Sequence, residues 1–67
     1  MKTLLNKIDN LIETLEMGLL TESQANIEIR TLHSDILDKY EEGSDNYIIC
    51  SIELVEAHNL NQDINNL

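Results

Sequence analysis

Proline, phenylalanine and tryptophan are absent from this chain, and glycine occurs only at Gly18 and Gly43. Without proline, no position removes a backbone donor or forces a helix to break. Two widely separated glycines exclude a glycine-rich loop that could cradle a phosphate. Cys50 is the single cysteine, so no disulfide can form within the chain. Its apolar neighbours and the lack of a Cys-x-x-Cys pattern point to a packing role in a reducing compartment. Basic residues are scarce as well: four Lys and Arg stand against thirteen Asp and Glu, a net charge of −9. Nucleic-acid binding depends on cations that neutralise phosphates, so direct contact with DNA or RNA is excluded as a function. Anionic lipid surfaces are disfavoured for the same reason. No stretch approaches the ~20 apolar residues of a membrane span, and Asn6 and Lys7 interrupt any secretory leader, so a soluble, cytoplasmic protein is expected.

What the chain does hold is Asn, Ile and acid. Abundant Asn and Ile with only two Ala fit an AT-rich genome, such as a phage or mobile element of a low-GC bacterium. At 67 residues the chain is a single domain. A domain of this size buries only ~60% of its unfolded surface. Association with a second chain is the expected source of further stability, since disulfides are excluded.

Apolar spacing predicts an all-α fold. Leu4, Ile8, Leu11 and Leu15 form one stripe, widened by Leu5 and Ile12, with Thr3 as N-cap and Gly18 just past the end. Thr21-Glu22-Ser23-Gln24 matches the S/T-x-x-E/Q capping box, and Leu20 before it can act as a hydrophobic staple. The two helices therefore form an antiparallel hairpin. The second helix carries Ala25, Ile29, Leu32, Ile36 and Tyr40, and is expected to end near Glu42 with Gly43 as stop. The hairpin segment Leu11–Gln24 resembles the helix–Gly–apolar–Thr–Glu turn of SHOCT-type short bacterial domains, with Ala25 where that pattern usually has an aromatic; any capped helical hairpin carries such a turn.

Ser44 or Asp45 can cap a third helix. Tyr47–Val55 is rich in β-branched residues, yet nothing else in the chain could pair with it as a strand. As a helix it is apolar on two sides. One stripe is Ile48, Ile52 and Val55, flanked by Ile49 and Leu60; the other is Tyr47, Cys50, Leu54 and Ala57. A helix apolar on two sides is buried on two sides. The second stripe is accordingly assigned to self-association, giving a homodimer; burial of both stripes inside one chain is the alternative. The expected architecture is a small three-helix bundle with helices at about 3–17, 21–42 and 45–60 within a domain spanning 1–60, followed by a polar tail at 61–67.

No catalytic constellation or metal-ligand spacing is present, so neither an enzyme nor a cofactor is expected. His33 and His58 read as solvent-facing or hydrogen-bonded side chains. The densest chemistry is the acidic run Asp35, Asp38, Glu41, Glu42 and Asp45, with Lys39 the only base inside it. Calcium binding is a poor fit, because these residues lie on a helix and lack the alternate-residue ligands of an EF-hand loop. Solvation of one helix face explains the run in part. Acids at a helix C-terminus, however, oppose its macrodipole by ~0.3–1 kcal/mol each, which argues for use in binding. The expected function is a small non-enzymatic regulator or inhibitor whose five acids dock on the basic surface of another protein, a nucleic-acid-binding protein among the candidates. A DNA-mimic inhibitor of the anti-restriction or anti-CRISPR type, and a structural helical adaptor, are the alternatives.

Overall fold

Each helix begins where a hydroxyl side chain can accept an otherwise unpaired backbone N–H. The computed structural model describes residues 3–66, and Thr3 Oγ1 accepts the Asn6 N–H at 3.2 Å to start α1 (Leu4–Glu16). Thr21 Oγ1 accepts the Gln24 N–H at 3.2 Å, and Gln24 Oε1 accepts the Thr21 N–H at 3.1 Å, closing the capping box of α2 (Glu22–Lys39). Ser44 Oγ accepts the Tyr47 N–H at 3.3 Å ahead of α3 (Asp45–Asn65). Among the described residues there is no strand, and Tyr47–Val55 is helical throughout. The expected span 1–60 and tail 61–67 also take in Met1, Lys2 and Leu67, which lie outside the described residues.

Gly18 ends α1 in a Schellman turn. Its φ is +73°, its N–H donates to Leu15 O at 3.0 Å, and the Leu19 N–H donates to Thr14 O at 3.2 Å. Together these satisfy two carbonyls that the last turn would leave unpaired. Leu20 is half-buried against the core, as a staple requires.

The second corner is built differently from expectation. α2 stops at Lys39, three residues short, because Tyr40 leaves the helical region (φ −120°, ψ 148°). Glu41 and Glu42 therefore lie in the connection, where the Ser44 N–H donates to Glu41 O at 3.0 Å and Gly43 holds φ +87°. A glycine at the third position of such a turn accepts positive φ without steric cost. Gly43 is thus a turn residue and not a helix stop.

The helices run up, down, up, and all three pack on one another. Leu4, Ile8, Leu11 and Leu15 from α1 meet Ala25, Leu32 and Ile36 from α2 and Cys50, Leu54 and Ala57 from α3 in a single core. The self-association stripe of the sequence reading is thereby corrected. Cys50, Leu54 and Ala57 are 3%, 5% and 0% exposed within one chain, so these three offer no free seam, and Tyr47 is half-buried beside them. The other stripe is the one left outside: Ile48, Ile52 and Val55 are 45%, 56% and 56% exposed. Small side chains at Cys50 and Ala57 let α3 settle close between its neighbours, which three β-branched residues would prevent.

α3 also continues past Leu60 to Asn65, through the segment expected to be a polar tail. The cause is Asn61, buried to 1% exposure, the next residue of the core stripe after Ala57. Its Nδ2 donates to Asn26 Oδ1 at 3.2 Å and to Glu22 O at 3.4 Å, tying the end of α3 to the first turn of α2. Asn65 Nδ2 in turn donates to Asn61 Oδ1 at 2.9 Å and Asn61 O at 2.8 Å. Among the described residues no buried side-chain polar atom lacks a partner.

Two stability outcomes follow. Asn61→Ala leaves the half-buried Asn26 Oδ1 and the Glu22 carbonyl without their donor and lowers unfolding free energy in urea by about 1–3 kcal/mol, while Asn59→Ala on the exposed side shifts it by less than about 0.5 kcal/mol. Gly18→Ala costs about 1–2 kcal/mol through backbone strain, since no atom lies within 4 Å of the added Cβ. A D-alanine placed there by chemical synthesis is expected to restore the glycine protein's melting temperature.

Candidate interaction surface

The turn after Lys39 divides the acidic run between two places. Asp35 and Asp38 remain on α2, where they share a shallow recess with Leu4, Lys7 and Lys39. Asp35 is half-buried and Asp38 exposed. Two carboxylates and two ammonium groups in one recess screen each other locally. Lys39 also places its Nζ 5.9 Å from the Tyr40 ring centroid, a cation–π contact that further occupies it. Glu41, Glu42 and Asp45 are all exposed at the α2–α3 corner. The five acids are therefore a pair that shares its recess with two lysines and an open trio, not one continuous face. Asp45 lies in the first turn of α3, where negative charge complements the helix N-terminus, and Ser44 is the cap.

Sequence spacing did not reveal a second acidic meeting point. Glu53 of α3 lies beside Asp9 of α1, with Glu56 one turn further along α3. Partial enclosure pushes the Glu53 carboxyl above the ordinary glutamate value; the negative charges of Glu56 and Asp9 add to this, as does Asp9 accepting a hydrogen bond from the protonated acid. Only knowledge that α1 and α3 run side by side in the same direction brings residues 9 and 53 together. Burial likewise pushes the Cys50 thiol up, reinforced by Glu53 and opposed by Lys39. A buried thiol held in its neutral form is a packing group, as expected of it.

His33 and His58, both exposed, line the recess between α2 and α3 with Ile29, Tyr47, Ser51, Leu54 and Val55. Among the described residues, no three His, Cys, Asp or Glu side chains are arranged to hold a metal ion. None of the described helices is long and apolar enough to cross a membrane.

The most distinctive surface is apolar. Ile48, Ile49, Ile52 and Val55, each between 45% and 56% exposed, cover the outer side of the first half of α3. Val55 also lines the α2–α3 recess, so this apolar surface extends into that groove. Exposed apolar residues elsewhere include Met17 and Leu19 in the first turn and Ile27 on α2. No family model matches the chain, and neither a curated protein nor a solved structure matches it.

The Glu53–Asp9 contact has a signed consequence for pH. Because its folded-state pKa is raised, Glu53 makes the folded chain bind more protons than the unfolded chain across that window. Its contribution is favourable at acid pH and is lost as pH rises through the raised value. Glu53→Gln is therefore expected to raise the urea midpoint at neutral pH and to flatten its rise on acidification. Urea titrations across the carboxylate range check both effects.

Proposed function

We propose that this chain is a small, non-enzymatic protein-binding regulator or inhibitor that docks on the basic surface of another protein. The observation that carries this reading is the combination at one corner of the bundle: exposed Glu41, Glu42 and Asp45 adjoin an uncovered apolar face at the start of α3. Apolar area supplies the free energy of a protein interface, and a charged rim supplies encounter rate and partner choice. Net charge −9 extends the attraction beyond the contact itself. AT-rich composition is the support for a phage or mobile-element origin.

A pure DNA mimic needs carboxylates over a broad face and gains little from isoleucines among them. Lys7 and Lys39 share the recess of Asp35 and Asp38, which lowers the net negative charge there that such mimicry would use. Docking through both charge and apolar area therefore fits the surface better than electrostatic mimicry alone.

Affinity capture from host lysate at low and high salt, with wild type and with charge reversals, tests the reading. A captured basic protein is expected to be retained at low salt, reduced at high salt, and reduced by Glu41→Lys with Glu42→Lys. Capture indifferent to both salt and reversal would sink docking on a basic surface and leave a structural adaptor.

A further inference from the structure

We infer that the outer face of α3 receives an amphipathic helix of a partner protein whose short apolar stripe carries Lys or Arg at both ends. The inference rests on the docking reading above and names its surface and register. Asp45, Ile49, Ile52 and Glu56 follow one another at 4-3-4 spacing, so they form a single row along α3. Ile48 and Val55 lie beside that row, three residues after Asp45 and three after Ile52. The row is thus a two-isoleucine centre with an exposed carboxylate at each end, widened on one side by two more apolar residues.

Area and charge together select the occupant. The four exposed side chains present roughly 400 Å² of apolar surface, within the roughly 300–600 Å² range of a monomer's largest patch, which is often functional. That is about half of the ~800 Å² per partner in a standard interface, the remainder being supplied by the polar rim and the α2–α3 groove. A second copy of this chain fits the area but not the charge. α3 carries Asp45, Glu53, Glu56 and Asp63 with no Lys or Arg, so two α3 faces brought together would oppose acid to acid with no cation between them. Lys7 and Lys39 line a recess with Leu4, Asp35 and Asp38, residues of α1 and α2 and not of α3. A foreign helix with basic ends meets both terminal carboxylates. Asp45 and Glu56 are separated by eleven residues, or about 16 Å at 1.5 Å rise per residue. The matching helix therefore places its basic residues about three turns apart, with two or three large aliphatic residues between them. Crossing near 20° keeps such helices in contact over that length.

The test uses the full chain and two synthetic helical peptides of about 20 residues. Both carry a three-turn leucine stripe, one ended by Lys on both sides and the other by Glu. The Lys-ended peptide is expected to bind, the Glu-ended peptide to bind at least roughly tenfold more weakly, and Ile52→Ser or Glu56→Lys to weaken the first by a similar factor. Circular dichroism and melting curves on each variant, with Val55→Ser as a second apolar probe, separate lost binding from lost fold. Binding of the Lys-ended peptide that survives Ile52→Ser, Val55→Ser and Glu56→Lys but falls with Asp38→Lys would place docking on α2, overturning this inference and leaving the basic-partner reading intact. Equal binding of both peptides, or of neither, would overturn this inference, while the basic-partner reading stands or falls on the salt and charge-reversal dependence of capture. Sedimentation showing a dimer that Ile52→Ser dissociates would give the face to a second copy and overturn the proposed occupant.

Discussion

How closely α3 can settle against α1 and α2 governs this bundle, since α3 packs on both and joins the N-terminal helix to a common core. Cys50 and Ala57 keep the approach short, and Leu54 between them fills the space that remains. Asn61 then fixes how far along the groove α3 lies. Hydrophobic contact alone tolerates sliding by a turn, whereas an amide donating to both Asn26 Oδ1 and Glu22 O is satisfied in only one register. The polar contact thus adds specificity to a core whose affinity is apolar, and it does so at the end of the molecule away from the acidic corner.

Much of the fold was legible in the sequence because the governing interactions are local. Thr3, Thr21 with Gln24, and Gly18 all act within one turn of helix, and the α1 and α2 stripes are unambiguous in period. The third helix was not legible to the same degree. Two apolar stripes on opposite sides of one helix satisfy the same spacing rule, and which turns inward depends on side-chain size at the crossing with the other helices. The small Cys50 and Ala57 could have signalled the inner side. Asn61 and Asn26, thirty-five residues apart, could not have been paired from spacing. The end of α2 at Lys39 was missed because Gly43 looks like a helix stop when its actual use is the positive-φ position of the following turn.

The candidate surface was legible only as composition. An acidic run is visible in one dimension, but its division between a lysine-shared recess and an open corner follows from the early end of α2. The uncovered isoleucines were visible too, although assigned to the wrong side of their helix. The same error links the two: once the inner stripe is Cys50, Leu54, Ala57 and Asn61, the outer face must hold Ile48, Ile52 and Val55.

The up-down-up order also changes the electrostatic meaning of the acidic corner. On α2 alone, carboxylates near its C-terminus face about half a negative charge from the aligned peptide dipoles. In the bundle, the N-termini of α1 and α3 emerge at that same end, each contributing about half a positive charge. Two positive helix ends against one negative leave a net positive backbone contribution at the end of the bundle that holds Glu41, Glu42 and Asp45. The opposition inferred from a single helix is reversed by its neighbours. The peptide backbone itself thus serves as a partial counter-ion for this corner in the free protein.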